Sequence, residues 1–532
     1  MDKEENGRPD AGLRSLNHYQ NRLPAWRYWP RQKLLPLIRY ETPYLAWLQD
    51  KIRTPSLDSY FAFTANLGTH TFFIVCLPIL FWCGHTSLGR GIIHILACGV
   101  FFSGFLKDLL CLPRPLSPPL QRITMSGSAA LEYGFPSTHS TNAVSVAVYC
   151  LSLLNSPDTT VSTVKNIILQ VLLYIYAFSI VFGRLYCGMH GFVDVIVGSC
   201  LGAFIAFLRY SYGEMYDQWI LSATVKEVAI VVLIILFLVR IHPEPADDCP
   251  CFDDSVAFAG VMLGSETAYW HYAQTSFSWT EPTPATIPYR LESIGWLKTI
   301  LRIVVGVLAI FAWREVMKPS LLRILPPIFR VLEKVGLILP RRFFTKASEY
   351  KKIPGHLKDD DVLPNVSEIP SILTSIRHPR RRAVSVGPQS EADAYEALAY
   401  REKRRRESVS SDRRRSPSSN RVSPAAETIQ KAQSKLAEYE HMMGTGTPRY
   451  SPEATSAGDS SSGLAPSPPA GPDYGPEGPD EEDMFSRITK PRVRYDVEVV
   501  TKLIVYSGIS WLVMEGSPLL FEFLGLGVRD VE

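Results

Sequence analysis

The sequence predicts an all-α protein, a polytopic transmembrane helical bundle that carries a long disordered polar segment. Between about residue 60 and residue 340 the chain contains repeated apolar runs, each near the ~20 residues that a helix needs to cross a bilayer. Between about residue 346 and residue 494 it is polar, charged and rich in Pro and Ser, a composition that buries too little apolar surface to offset the entropy lost on folding. The 532 residues are too many for one core, and the formal net charge of only +3 gives no indication of nucleic-acid binding.

The apolar runs predict the order of the spans. Candidate spans cover residues 60–82, 89–112, 138–154, 165–185, 191–210, 218–240, 255–271 and 294–314. The run 138–154 is short, and 255–271 contains Gly264 and Glu266. The stretch 320–340 contains Pro326 and Pro327 among several cations and is expected to lie on the membrane surface. The number of spans before Pro340 is therefore open between eight and nine.

These patterns divide the chain into five segments. Residues 1–58 are basic and mix Trp and Tyr with cations, which predicts a segment lying in the membrane interface. Residues 59–240 form a transmembrane core, 241–345 an additional transmembrane region and 346–494 the disordered segment. Residues 495–532 form a C-terminal apolar segment and a candidate last span. The first residues lack an apolar core, so no cleavable signal peptide is expected.

The disordered segment contains Arg-rich clusters beside serines. These contexts invite kinase phosphorylation at Ser385, Ser408 or Ser416, which would neutralise the local positive charge. The alternative, a solvated loop without regulation, is favoured. Asn365 begins an N-glycosylation sequon whose modification would place the segment in the lumen.

Two cysteines stand apart from the others. Cys249 and Cys251 lie in the loop sequence HPEPADDCPCFDDS, whereas most of the rest lie in apolar runs, where a thiol acts as a small hydrophobe. A disulfide across one intervening residue would be strained, so none is expected.

Ionisable residues mark the turn between two apolar runs, in the stretch GRLYCGMHGFVDV. Arg184 ends the first run, and His190 and Asp194 are four residues apart at the start of the second, hence on one helical face. A carboxylate one turn from an imidazole can fix its tautomer and stabilise the cation formed when the other nitrogen reacts. The alternative is a buried His–Asp pair with an interfacial Arg that reaches water.

Two further clusters lie at helix ends. The second apolar run closes with Lys107 and Arg114 in KDLLCLPRPLSPP. The third opens with EYGFPSTHSTNAV, in which Ser137, Thr138 and His139 form a helix start. Free amides and the positive end of the helix dipole make such a start an anion site, and Ser137 adds a hydroxyl donor.

Alternating membrane crossings bring these clusters to one side. Lys107 and Arg114 end one span, His139 begins the next, Arg184 ends the one after, and His190 begins the span that follows. Ionisable groups at that depth are costly and point to function. Three cations, two histidines and helix-start amides suit a phosphate dianion whose charge redistributes during transfer. The alternative is that these are unrelated side chains that each reach toward water at the interface. Their location on one side of the membrane would then be a coincidence for each residue.

The three motifs together resemble a known family. The pattern K-x6-RP (Lys107, Arg114), then PSxH (Ser137, His139), then R-x5-H-x3-D is similar to the type 2 phosphatidic acid phosphatase superfamily, which includes membrane lipid phosphatases and vanadium haloperoxidases. The residue sequences PSTH and LYCGMH, together with the HPEPADDCPCFDDS loop, most resemble those of the fungal sphingoid long-chain base 1-phosphate phosphatases. Two residues depart from the pattern: Gly183 stands where Ser is frequent, and Thr138 where Gly is commoner.

The resemblance implies roles for individual residues. His190 is the expected nucleophile, forming a phosphohistidine, with Asp194 holding its other nitrogen, and His139 the expected acid and then base. The expected phosphate-binding residues are Lys107, Arg114, Ser137, Thr138 and Arg184. No cofactor and no metal are expected, because the cations come from the protein and no carboxylate cluster has metal-ligand spacing. The resemblance also implies an enzyme of the endoplasmic reticulum membrane with a lumenal site, acting on a lipid phosphate.

Other functions fit the same motifs, because the motifs recognise the phosphate. The substrate could instead be phosphatidate or a polyprenyl pyrophosphate, or the phosphoryl group could pass to another lipid. A non-catalytic channel, transporter or scaffold could use the cations as an anion gate. A haloperoxidase is disfavoured, because the chain is embedded in the membrane.

Overall fold

The structure is a computed structural model that describes residues 11–14, 16–67, 70–117, 120–124, 132–157, 159–336, 341–353, 385–386 and 493–528. The predicted disordered segment lies mostly outside this set, as do Asn365, Ser408 and Ser416. Ser385 is described only as a strand residue.

The described residues are mainly helical. The helices are α1 Leu16–Arg22, α2 Ala25–Ile52, α3 Pro55–Asn66, α4 His70–Trp82, α5 Thr86–Leu110, α6 Thr138–Leu154, α7 Thr163–Tyr186, α8 Phe192–Ser222, α9 Val225–Ile241, α10 Cys251–Ala273, α11 Leu291–Lys334, α12 Val497–Trp511 and, after a π-helical turn Leu512–Gly516, α13 Ser517–Phe523. Two short strand pairs complete the set: β1 Ile123–Thr124 runs antiparallel to β3 Ser385–Val386, and β2 Phe344–Thr345 runs parallel to β4 Arg494–Tyr495. The predicted all-α class is confirmed.

Within the described ranges, five helical segments are long and apolar enough to cross a membrane: α5, α7, α8, α11 and the continuous segment Val497–Phe523. The chain is therefore a multi-pass membrane protein, as predicted. Helices α6 and α9 have 17 residues each, which is near the length required.

Two predicted elements differ in the structure. The run 60–82 was expected to be one continuous helix, but it is divided between α3, which ends at Asn66, and α4, which begins at His70. The runs 294–314 and 320–340 were expected to be a span and a surface stretch, but from the kink at Gly295 (φ 73°) to Lys334 the chain forms one helix that includes Pro319, Pro326 and Pro327. At 1.5 Å per residue the part after the kink is about 58 Å long, roughly twice the hydrocarbon thickness, so its polar end continues beyond the membrane.

Hydrogen bonds define two faces of the bundle. At the face where α5 ends, called here the Lys107 face, Arg27 donates to the carbonyl of Leu109 (2.8 Å), Arg341 to that of His242 (3.2 Å) and Arg494 to that of Cys249 (2.8 Å). At the opposite face, the Ile287 amide donates to Thr86 Oγ1 (3.2 Å) and Trp82 Nε1 to the carbonyl of Val513 (3.0 Å).

These contacts fix the number of passes over residues 55–334. Counting α3 with α4 as one pass, the described chain crosses between the two faces eight times up to the end of α11. The segment before α3 and the described residues on both sides of 354–492 therefore lie at the Lys107 face. Of the two counts left open by the sequence, eight agrees with the order of the described helices, five of whose segments are long and apolar enough to span by themselves.

Helix α2 runs along the Lys107 face. Its outer side exposes five aromatic residues, Trp26, Trp29, Tyr40, Tyr44 and Trp47, whereas Arg31, Glu41 and Gln49 are buried. Gln49 Nε2 donates to the carbonyls of Gln121 (3.0 Å) and Tyr186 (2.8 Å), which links α2 to the end of α7. An aromatic outer side suits the predicted interfacial position, which remains a prediction.

Glu266, which made the span 255–271 uncertain, belongs to a buried ionic cluster. Its carboxylate accepts from Arg90 Nη2 (2.7 Å) and Tyr216 (3.1 Å) and lies 2.7 Å from His94 Nε2. Arg90 also pairs with Asp217 at 2.7 Å. A carboxylate with these partners is tolerated inside a helical bundle, so α10 forms part of the core.

The expectation about the cysteines was wrong, because the structure joins Cys249 and Cys251 as a disulfide. The backbone turns at Pro250 as α10 begins, which brings the two Cα atoms to 5.5 Å. That separation lies in the ordinary range for a disulfide.

Candidate active site

The first cluster lies where α5 ends. Cys111 has a positive φ of 52° and terminates the helix, and the chain then returns toward the bundle so that Arg114 is buried near Lys107. Arg114 Nη1 donates to the carbonyl of Met189 at 2.9 Å, which joins the first motif to the third. Both predicted cations are thus held at the same place.

The second cluster is the start of α6. Ser137 caps the helix, because its hydroxyl oxygen accepts from the amide (3.3 Å) and the hydroxyl (2.9 Å) of Ser140. An oxygen that accepts these bonds keeps its own proton to donate. Thr138 Oγ1 accepts from Ser103 Oγ at 3.0 Å, and His139 follows in the first turn.

Close packing of α6 on α8 brings the second and third motifs together. A Cβ atom at Gly198 would lie 2.6 Å from the carbonyl oxygen of Ser137, and one at Gly202 would lie 2.2 Å from that of Thr141. Only glycine allows the two backbones this approach. The Ser137 amide also donates to the carbonyl of Asp194 at 3.0 Å.

His190 is the buried centre of the cluster. Its Nδ1 lies 2.8 Å from the carbonyl oxygen of Gly134, so this nitrogen carries the proton and donates it. The Nε2 atom then carries the lone pair, which accepts a hydrogen bond from Arg114 Nη1 at 3.2 Å and becomes available for attack when Arg114 turns to a phosphoryl oxygen. This is the tautomer that a nucleophilic Nε2 requires.

Asp194 has a different immediate partner from the one predicted. Its Oδ2 lies 3.7 Å from His190 Nδ1, beyond hydrogen-bond distance, and accepts from the Gly191 amide at 2.8 Å. Its Oδ1 is buried and has no hydrogen-bond partner within the described part of the chain. Asp194 therefore caps α8 and places a carboxyl group beside the imidazole, while the carbonyl of Gly134 fixes the tautomer.

Arg184 lies in the last turn of α7 and is buried. Its Nε has no hydrogen-bond partner among the residues that the structure describes. Its charge acts on Arg114 and His190, so it belongs to the same cluster. A buried guanidinium with an unused donor is suited to an anion.

Two site residues were missed in the sequence, Glu132 and Gly134, both in the stretch EYGFPSTH. Glu132 Oε2 accepts from Lys107 Nζ (3.2 Å) and from Arg114 Nη2 (3.1 Å), so a carboxylate bridges the two predicted phosphate ligands. Gly134 supplies the carbonyl to His190, and a Cβ there would lie 2.7 Å from the carbonyl oxygen of Pro113. In the sequence, only the position of Glu132 and Gly134 beside the PSTH motif could have indicated that they belong to the site.

Burial and neighbouring cations hold the pKa of His190 well below its ordinary value of 6.5. Burial is the largest cause, followed by the charges of Arg114, Lys107, Arg184 and His139. Since a histidine with a lowered pKa stays neutral to lower pH, the nucleophilic form persists under mildly acidic conditions.

We therefore expect kcat/KM to decrease at acid pH with an apparent pKa for the enzyme group that lies below 6.5. The second ionisation of the phosphate ester, near pH 6, affects the same profile, so it is measured by phosphorus NMR and divided out. An enzyme group that must lose a proton at or above pH 6.5 would contradict the assignment of His190 as the nucleophile.

One set of metal-ligand atoms lies near the site. In the described residues, Asp108, Cys249 and Cys251 place one ligand atom each within 4.8 Å of one another, and all three are buried. The two sulfurs are joined to each other, which uses the thiolates that a metal would need. The expectation of a metal-independent reaction remains a prediction.

The fold and the site define a class: a multi-pass membrane protein in which cations, a helix start and a histidine with a protonated Nδ1 lie together at one face of the bundle. The family model described as the PAP2 superfamily matches residues 88–217, which include all three motifs. The chain belongs to this superfamily, that of the type 2 phosphatidic acid phosphatases.

Its relatives include two fungal proteins. The chain is 41% identical to a dihydrosphingosine 1-phosphate phosphatase of Schizosaccharomyces pombe over 324 residues, 60% of this chain and 77% of the relative. It is 35% identical to one of Saccharomyces cerevisiae over 58% of this chain and 75% of the relative, and 26% identical to human sphingosine-1-phosphate phosphatase 2 over 54% and 73%. No solved structure is a significant match. The family indicated by the motifs is confirmed.

Proposed function

We propose that the protein is an integral membrane lipid phosphatase that hydrolyses the phosphomonoester of sphingoid long-chain base 1-phosphates. The observation that carries the proposal is the tautomer of His190: Nδ1 bonds to the carbonyl of Gly134 at 2.8 Å, and Nε2 faces Arg114 at 3.2 Å. The names of the relatives support the choice of lipid.

The first chemical step forms a phosphohistidine. His190 Nε2 attacks phosphorus, and the bond between phosphorus and the lipid oxygen breaks. His139 donates a proton to that oxygen, because an alkoxide is a poor leaving group without an acid. Lys107, Arg114, Ser137, the backbone at Thr138, and Arg184 hold the phosphoryl oxygens while their charge changes.

The second step reverses the proton transfer. His139, now neutral, removes a proton from water, the water oxygen attacks phosphorus, and the N–P bond breaks to release inorganic phosphate. Asp194 stabilises the cationic imidazole of His190 through space, and the Gly134 carbonyl keeps the ring in position.

The test is phosphate release by the purified full-length protein across a panel of lipid phosphates, with EDTA present. We expect sphinganine 1-phosphate to be hydrolysed with the highest kcat/KM and the rate to be unaffected by the chelator. A clear preference for phosphatidate or a polyprenyl pyrophosphate would replace the proposed substrate. Turnover that requires added divalent metal would contradict the metal-independent mechanism.

We also propose that the protein resides in the endoplasmic reticulum membrane with its site facing the lumen. In that orientation the described residues that precede and follow 354–492 lie on the lumenal side, because they lie at the Lys107 face. The Arg clusters of that segment begin well beyond the ~15–20 residues next to a span that determine orientation, whereas Arg39, Lys51 and Arg53 lie within that distance of α3 and favour the opposite orientation. Phosphorylation of Ser385, Ser408 and Ser416 by cytosolic kinases would require the opposite orientation. A lumenal site and kinase regulation of this segment therefore exclude each other.

Glycosylation mapping decides between these orientations. We expect Asn365 to be glycosylated in cells and Asn365→Gln to remove the modification. In the turn at the opposite face, Pro284→Asn completes a sequon with Thr286 and is expected to remain unmodified. The reverse pattern would place the site in the cytosol and allow the kinase proposal, whereas modification at both positions would contradict the eight passes.

A further inference from the structure

The Tyr133 side chain anchors the stretch that fixes the tautomer of His190. Its hydroxyl donates to Asp247 Oδ2 at 3.1 Å and accepts from the Asp247 amide at 2.9 Å. Tyr133 is fully buried, and the next residue, Gly134, supplies the carbonyl that accepts from His190 Nδ1 at 2.8 Å. The anchored side chain is therefore one residue away from the carbonyl that holds the nucleophile.

Asp247 is a firm anchor because other donors surround its carboxylate. The Gly12 amide (2.9 Å) and the Tyr19 hydroxyl (2.7 Å) also donate to Oδ2, and Arg14 Nε lies 3.2 Å from Oδ1. Burial by itself raises the pKa of this carboxyl, but the hydrogen bonds and the charge of Arg14 outweigh burial, so the pKa lies below its ordinary value. The carboxylate is therefore ionised at neutral pH and is held between the N-terminal segment and the stretch that contains Tyr133.

The first motif holds the same stretch through two backbone contacts. The Gly134 amide donates to the carbonyl of Leu112 at 2.9 Å, and Arg114 Nε donates to the carbonyl of Glu132 at 3.2 Å. These bonds attach residues 132–134 to the exit of α5, whereas the bonds between Tyr133 and Asp247 attach them to the loop before α10. Loss of the Tyr133 hydroxyl removes the second attachment and keeps the first, so the stretch should shift without unfolding.

We propose that Tyr133, anchored by Asp247, is a positioning residue that keeps the Gly134 carbonyl in place to hold His190 in its reactive tautomer. The inference rests on the proposed function and adds two residues that act on the nucleophile through Gly134. During attack, positive charge develops on the imidazole as Nε2 bonds to phosphorus, so the hydrogen bond from Nδ1 to the Gly134 carbonyl becomes stronger. A displaced carbonyl weakens this bond and also allows the proton to shift to Nε2, which leaves that atom without a lone pair for attack.

The experiment measures a single turnover of sphinganine 1-phosphate by full-length protein in detergent micelles, with saturating enzyme. Under this condition the rate constant for release of sphinganine does not depend on the fraction of molecules that are folded. Tyr133→Phe removes only the hydroxyl, and we expect this rate constant to fall about tenfold, as for the loss of one or two hydrogen bonds of ordinary net strength. The inhibition constant of inorganic phosphate should stay within about twofold of wild type, because the cations that bind phosphate are untouched.

Tyr19→Phe is the matched control. It removes a hydroxyl from the same Asp247 oxygen but leaves both bonds between Tyr133 and Asp247, so its rate constant should stay within about twofold of wild type. Asp247→Asn tests the anchor: it should lower the rate constant, and adding Tyr133→Phe to it should lower the rate constant little further, because the two residues act as one unit.

The outcomes separate this inference from the proposed function. A rate constant in Tyr133→Phe equal to that of wild type would overturn the inference and leave the phosphatase function standing. Equal losses in Tyr133→Phe and Tyr19→Phe, or additive losses in Tyr133→Phe and Asp247→Asn, would mean that these residues only stabilise the fold, which also overturns it. If wild type does not hydrolyse sphinganine 1-phosphate while it hydrolyses another lipid phosphate, the proposed substrate is wrong, and the same rate constants measured with that lipid decide the inference.

Discussion

His190→Ala is expected to lose turnover of sphinganine 1-phosphate by about 10⁴- to 10⁶-fold, the range seen when a catalytic nucleophile is removed. The substitution removes the Nε2 atom that faces Arg114 at 3.2 Å, and alanine cannot form the phosphoenzyme. The cations, the capped start of α6 and Asp194 remain, so substrate binding should be weakened far less than turnover. The measurement is phosphate release by the purified protein in detergent, with substrate binding measured separately.

Trapping the phosphoenzyme from labelled substrate with an alkaline detergent quench gives an independent measure. Wild type should carry acid-labile, alkali-stable label, as a phosphohistidine does, and His190→Ala should carry none. His85→Ala is the matched control, because His85 is exposed at the opposite face, just before α5. Turnover by His190→Ala within tenfold of wild type would remove His190 as the nucleophile.

Much of the site could be predicted from the sequence because it depends on local and topological rules. Lys107, His139, Arg184 and His190 stand at the ends of consecutive apolar runs, and alternation of direction alone brings such ends to one face. The helix start at Ser137 likewise follows from a capping residue, whose bond to the Ser140 amide the structure contains.

The parts that were missed depend on loops and distant packing. Glu132 reaches Lys107 from 25 positions away along the chain, across a loop with no periodicity to predict its path. Glu41 accepts from the Val193 amide at 3.0 Å, a contact across 152 positions that caps α8 from the interfacial helix. The pairing of Asp194 with His190 was inferred from their spacing of four, but the capping bond to the Gly191 amide turns the carboxylate toward the backbone.

The joining of two expected elements in α11 has a related cause. Proline predicted a boundary near residues 319–327, yet Pro319, Pro326 and Pro327 lie inside the helix. A proline inside a helix removes one backbone hydrogen bond and bends the helix. The helix continues through the proline only where its packing contacts offset this loss of stability. Leu321, Leu325 and Phe329 are buried in the bundle, so packing stabilises the helix through this stretch. Sequence periodicity alone contains no information about that packing.

His139→Ala is expected to show an effect that depends on the leaving group. With sphinganine 1-phosphate the loss in kcat should be about 10²- to 10⁴-fold, the usual contribution of a general acid. With a phenyl phosphate whose leaving group needs no proton, the first step should proceed almost as fast as in wild type. His139 lies in the first turn of α6, and its charge is among those that lower the pKa of His190, so the two imidazoles belong to one cluster.

The second step distinguishes this role from a loss of structure. Because the variant also lacks the base that activates water, the phosphohistidine should form from the activated substrate and then accumulate, with a burst of phenol followed by slow release of phosphate. His85→Ala should show neither the burst nor the accumulation. Equal losses with both substrates and no trapped phosphoenzyme would assign the proton transfers to another group. If His139 is the acid and base, its loss must leave the first step with the activated substrate fast and make the second step slow.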